Sequence, residues 1–95
     1  MVINLSDFEM SIEDLKSSQN WKLIDLRDTC SELPQILKQF NSISMPFPSL
    51  DYTSFDLSEK QKILLVCSKG IRSLFVAKML RELGLENVFS LKGGI

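Results

Sequence analysis

Apolar and polar positions change period several times along the chain. Ile63, Leu64, Leu65 and Val66 form an unbroken apolar run, the pattern of a strand covered on both faces in the middle of a parallel sheet. Beyond it, Phe75, Val76, Met79, Leu80 and Leu83 recur at helical spacing and Gly84 stands where a left-handed cap ends a helix, which predicts a helix over Arg72 to Leu83. Asn87 to Leu91 reads as a final strand. Upstream, Trp21 to Leu26 is a strand of bulky apolar residues ended by the charged Arg27 and Asp28. Phe8 and Met10 flank Glu9 as in a short strand. Ser11 is placed to cap a helix from Ile12 to about Ser18, with Glu13 and Asp14 in its favourable first turn. The spacing of Leu33, Ile36, Leu37 and Phe40 predicts a helix over Ser31 to Phe40, with Pro34 in its first turn. Ile43 to Met45 reads as a brief strand and Met45 to Ser49, with two prolines, as a loop. Leu50 to Lys60 is irregular apart from a turn of helix near Leu57. Strands separated by helices predict a small α/β domain with a mainly parallel sheet and right-handed crossovers.

Composition narrows the chemistry. The 95 residues, 44% apolar, suffice for one core and not for a second catalytic domain, so residues 1–95 are expected to form a single domain. Eleven basic residues against twelve acidic ones leave a net charge of −1, which supplies no global field to attract nucleic acid or an anionic membrane. No apolar run reaches the ~18 to 20 residues that span a bilayer. Asp7 and Glu9 lie where a signal peptide would be basic and then apolar, so the chain is expected to be soluble and cytoplasmic. With no histidine present, Ser-His-Asp and Cys-His catalysis within this chain and the usual zinc sites are excluded. Cys30 and Cys67 are far apart and form no C-x-x-C pair, as suits free thiols in a reducing compartment.

The segment that carries chemistry is Cys67-Ser68-Lys69-Gly70-Ile71-Arg72-Ser73, which joins the most apolar strand to the best helix. A tight loop there directs backbone N–H groups and the positive end of the helix toward the Cys67 sulfur, favouring a thiolate without an imidazole base. Gly70 lets the backbone turn inward where a Cβ would clash or force an unfavourable φ. Lys69 and Arg72 add positive charge for an anionic reactant. A strand-ending cysteine alone is more often core filler. A charged, glycine-containing loop at the carboxyl end of a parallel strand is where α/β proteins place ligand sites, and that tips the reading toward function.

These residues resemble the rhodanese-like (sulfurtransferase) family. Ile63 to Ile95 is similar to that family's strand, active loop, helix, last strand and terminal Gly-Gly turn. Trp21 to Asp28 resembles its earlier strand with an Asp-x-Arg ending, and Met10 to Leu15 its opening Ser-x-x-x-Leu helix start. The likeness covers most of the chain except Cys30 to Gln61. Asn41 to Pro46 stands where the family commonly has His-Ile-x-Gly-Ala and keeps only the Ile-x-Met-Pro part. The resemblance implies a three-layer domain with helices on both faces of the sheet. It also implies that Cys67 accepts sulfane sulfur as a persulfide, that Ser68, Lys69, Gly70, Ile71 and Arg72 form the cradle, and that Ser73 opens the helix. No metal or organic cofactor is implied. The implied partners are a small anionic sulfur donor or a cysteine desulfurase, and a thiol, cyanide or protein acceptor. Two alternatives stand beside this: a non-catalytic interaction module on the same fold, and the carboxy-terminal part of an adenylyltransferase that activates ubiquitin-like sulfur carriers.

Other residues invite competing readings. Cysteine-dependent phosphatases place five residues between cysteine and arginine, whereas four separate Cys67 from Arg72, so sulfur fits better than phosphate; Asp51 or Asp56 would be the acid sought for that reading. Asp25 and Arg27 read as a structural anchor at a strand end. Cys30, with no basic neighbour closer than Arg27, reads as a bystander thiol. Lys92-Gly93-Gly94 reads as a turn, because Ile95 follows where a sulfur-carrier tail would end in glycine.

Overall fold

The computed structural model describes residues 5–15, 21–28, 32–52, 55 and 60–95. Among them, β1 (Glu9–Met10), β2 (Trp21–Asp25), β3 (Asn41–Ser44), β4 (Lys62–Val66) and β5 (Val88–Leu91) form one sheet in the order β1-β5-β4-β2-β3. Every pairing in it is parallel. The apolar run Ile63 to Val66 therefore occupies the central strand, with Leu64 opposite Leu23 on one side and Phe89 on the other.

The two-residue period of the strands divides the core into two faces. Ile24, Leu26, Ile63, Leu65, Cys67 and Val88 point to one side, where they meet Val76, Ala77 and Leu80 of α2 (Ile71–Glu82). Trp21, Leu23, Leu64, Val66 and Leu91 point to the other, where they meet Leu15 of α1 (Ile12–Leu15) and Leu37 of a 3-10 turn over Gln35–Leu37. This is the expected three-layer α/β arrangement. No helix among the described residues is long and apolar enough to cross a membrane.

Local chemistry explains the element ends. At α1, Asp14 N–H donates to the Ser11 hydroxyl oxygen (3.4 Å) while Ser11 N–H and Oγ–H donate to the Asp14 carboxylate (3.3 and 2.9 Å), a reciprocal cap. At the end of α2, Leu85 N–H reaches the Leu80 carbonyl (3.0 Å) and Gly84 N–H the Arg81 carbonyl (3.1 Å). This closure needs the positive φ (119°) of Gly84. Leu85 and Leu80 are then both buried in the same cluster.

Several expectations differ from the structure. The helix expected over Ser31 to Phe40 is only the 3-10 turn: Pro34 is extended (ψ 148°), and Leu37 and Phe40 reach the core without a helix. Ser31 lies outside the described residues, as do residues 16–18 of the first helix and Leu57. A further 3-10 turn covers Phe47–Ser49. The helix α2 starts at Ile71 with Gly70 as its cap, so Ser73 stands within the first turn instead of opening it. Its buried face is Ser73, Val76, Ala77 and Leu80, whereas Phe75 and Leu83 of the expected apolar stripe are 54% and 47% exposed. Ser73 lies on the same stripe as the fully buried Val76, Ala77 and Leu80, and its hydroxyl is satisfied there by Ser90 of β5.

Candidate active site

Cys67 follows β4 directly, at the carboxyl edge of the middle of the sheet. Three bent residues, 68–70, turn the chain into α2. Gly70 adopts φ 79° and is buried; a Cβ there would lie 3.0 Å from both the Gly93 and Gly94 nitrogens. The sequence thus places glycine where left-handed backbone and lack of space both demand it.

The turn converges on sulfur. Cys67 Sγ accepts from Gly70 N–H (3.1 Å) and from Ser73 N–H (3.4 Å), and Ser73 Oγ lies 3.3 Å away. Ser73 N–H is among the first-turn amides that an α-helix leaves without an internal partner. Burial, at 4% residual exposure, pushes the Cys67 thiol up. The Ser73 hydroxyl and the Ser73, Lys69 and Gly70 amides outweigh that burial and hold the thiol below its ordinary value.

A cavity of ≈ 310 Å³ opens beside the sulfur, lined by Arg27, Asp28, Cys67, Ser68, Lys69, Ile71 and Arg72. The seven sequence-selected residues 67 to 73 thus divide in two. Gly70 and Ser73 contact the sulfur, whereas Ser68, Lys69, Ile71 and Arg72 are exposed around the cavity. The Arg72 guanidinium also lies over the Phe47 ring (5.2 Å). Cys30 and Asp56 lie outside the described residues, and Asp51 is not among those lining the cavity.

Arg27 and Asp28 enter from the end of β2. Asp25 grips Arg27 through Nε to Oδ1 and Nη2 to Oδ2, both 3.0 Å, and also accepts the Arg27 N–H (3.0 Å). This is the anchor expected for a charged pair at a strand end, and its hydrogen bonds raise Arg27 further above its already high ordinary pKa against the opposing effect of burial. Its signal in the sequence was position: β2 neighbours β4, so its carboxyl end opens on the same cavity.

Two further contributions come from β5 and the turn that follows it. Ser90 of β5 is fully buried and lies 2.6 Å from Ser73 Oγ. The turn after β5 packs backbone to backbone on the loop: Ile95 N–H donates to the Cys67 carbonyl (3.0 Å), and a Cβ on Gly94 would sit 2.5 Å from the Ser68 oxygen and 2.6 Å from the Gly70 nitrogen. The Gly-Gly pair is therefore a turn, as expected, and also the wall behind the loop.

A family model for the rhodanese-like domain matches residues 11–95. A tRNA uridine(34) hydroxylase of Bartonella henselae is 50% identical over 40 residues, 42% of this chain and 13% of that protein. A tRNA sulfurtransferase of Yersinia pestis is 38% identical over 68 residues, 70% of this chain and 14% of that protein. The chain thus spans only a small part of these relatives' length. Among solved structures, a rhodanese homologue from Thermus thermophilus superposes with a TM-score of 0.66 at 26% identity, over 92% of this chain and 95% of that one.

Proposed function

We propose that this chain, which belongs to the rhodanese-like domain family, is a sulfurtransferase whose Cys67 accepts sulfane sulfur, holds it as a persulfide and passes it on. The Cys67 thiolate attacks the outer sulfur of an S–S donor. A new S–S bond forms on Cys67, the donor's S–S bond breaks, and the leaving group keeps the bonding pair, as sulfite from thiosulfate or as a thiolate from a protein persulfide. An acceptor anion, cyanide or a thiolate, then attacks the outer sulfur of the persulfide, and Cys67 leaves as a thiolate. Each step exchanges one nucleophile for another, so atoms and charge balance without an added oxidant or reductant.

The observation that supports this most is the convergence of two amides and a hydroxyl on a buried sulfur beside a cavity with Lys69 and Arg72 at its rim. Preorganised donors stabilise negative sulfur both as nucleophile and as leaving group. The relatives named for tRNA chemistry are much longer, and the near-zero charge of these 95 residues argues against their holding RNA themselves.

Incubation with thiosulfate, or with a cysteine desulfurase loaded with persulfide, is expected to add the mass of one sulfur atom at Cys67, released by cyanide. The two donors are separate arms, so the preferred one identifies the partner class. Cys67→Ser gains nothing. Arg72→Ala loads from thiosulfate about ten-fold more slowly, the value of one charge-assisted contact. A folded wild-type chain that takes sulfur from neither donor overturns the proposal in favour of an interaction module.

A further inference from the structure

Ser73 Oγ sits between two partners, Cys67 Sγ at 3.3 Å and Ser90 Oγ at 2.6 Å. Both serines are fully buried, Ser90 on the face of β5 that meets α2. Among the described residues, Ser73 Oγ is the hydrogen-bonding partner of Ser90 Oγ. A hydroxyl carries one hydrogen, so the direction of each bond decides the direction of the other.

The hydrogens of this trio can be counted against its two contacts. With a thiolate there are two, both on hydroxyls: Ser90 donates to Ser73, Ser73 donates to sulfur, and each contact is filled once. With a neutral thiol there are three hydrogens for the same two contacts. The surplus one has no acceptor in the trio: when the thiol donates to Ser73 Oγ a buried serine hydrogen is left over, which is costly, and otherwise the S–H turns into the cavity and gives up its bond to Ser73. The arrangement is therefore complementary to negative sulfur in a way that Ser73 alone is not, because an isolated Ser73 hydroxyl could turn either way.

We propose that Ser90 is a positioning residue for Cys67: by donating its hydroxyl hydrogen to Ser73 it commits the Ser73 hydroxyl to donate to the sulfur. The inference rests on the reading of Cys67 as the reactive group, and it concerns the resting thiolate that attacks the donor. The charged groups lining the cavity with Cys67 are Arg27 and Asp28 from the end of β2, and Lys69 and Arg72 from the loop and α2. None of them is altered by changing Ser90, so they form a constant background.

The test is a double-mutant cycle read by iodoacetamide labelling of the Cys67 peptide across pH. Ser90→Ala is expected to slow labelling at neutral pH by about three- to ten-fold and to recover the wild-type rate at high pH, where the thiol is ionised regardless. Ser73→Ala slows it at least as much, and adding Ser90→Ala to Ser73→Ala changes nothing more, because the effect passes through that hydroxyl. Ser90→Cys, of nearly the same volume with a weaker donor, gives the same pH shift and serves if the alanine variant does not fold. An unshifted pH profile in folded Ser90→Ala or Ser90→Cys, or additive effects in the double variant, overturns the proposal. Labelling reports the thiolate whether or not sulfur is transferred. A chain that passes this cycle yet accepts no sulfur therefore refutes the sulfurtransferase reading and leaves this one standing.

Discussion

Gly94→Ala is the sharpest test of how the loop is held, because the damage is fixed by geometry. At Gly94 the backbone has φ 72°, and an added Cβ would stand 2.5 Å from the Ser68 carbonyl oxygen, 2.6 Å from the Cys67 oxygen and 2.6 Å from the Gly70 nitrogen. All three are backbone atoms of the loop that carries the sulfur, so no flexible side-chain end is available to swing aside. Relief to ordinary contact requires a displacement approaching an ångström, and the atom pushed is the nitrogen that donates to Cys67 Sγ at 3.1 Å. A shift of that size breaks the bond. A hydrogen bond to a charged group is worth about 1.5–3 kcal/mol, which at ~1.4 kcal/mol per decade predicts roughly ten- to hundred-fold slower alkylation of Cys67 at neutral pH. Gly93→Ala is the matched control: its φ is also positive, 81°, but nothing lies within 4 Å of the new Cβ. It carries only the left-handed strain of about 1–2 kcal/mol in stability and labels at the wild-type rate. Rates are read by peptide mapping after timed iodoacetamide pulses, with circular dichroism to confirm folding. Equal labelling of folded Gly94→Ala and Gly93→Ala would refute the claim that this turn supports the cradle.

Two further outcomes follow from the packing and the charge. Leu80→Ala, which empties a fully buried position between α2 and the sheet, is expected to cost about 2–5 kcal/mol in urea unfolding, whereas Leu83→Ala, half exposed, costs much less; equal losses would contradict the observed helix face. Because Cys67 is held below its ordinary value by Ser73 and the loop amides against burial, it adds stability that is fully present above the unfolded thiol value of about 8.5 and is lost as pH falls through the folded value. The stability of the wild type relative to Cys67→Ala is therefore expected to rise with pH across that interval. A flat difference would mean that the folded thiol is not shifted.

Much of this protein was legible in the order of its residues. The run Ile63 to Val66 specified a strand covered on both faces because only a central parallel strand hides four consecutive apolar side chains, and Gly84 marked the end of α2 because its closure demands a positive φ. Gly70 and the charges around it marked the loop for the same local reason: φ 79° and a helix start are properties of adjacent residues. What local pattern did not decide was everything set by partners distant in the chain. Leu33, Leu37 and Phe40 have helical spacing, yet Pro34 stays extended and the segment makes only one 3-10 turn, since burial against α1 and the sheet needs those side chains and no helix. Ser73 can lie on the buried face of α2 because its hydroxyl meets Ser90, seventeen residues away. Arg27, Asp28, Ser90 and Gly94 join Cys67 because the order β1-β5-β4-β2-β3 sets β2 and β5 on either side of β4. Spacing in one segment cannot encode that adjacency: it arises when the strands pair and their carboxyl ends are brought to one edge.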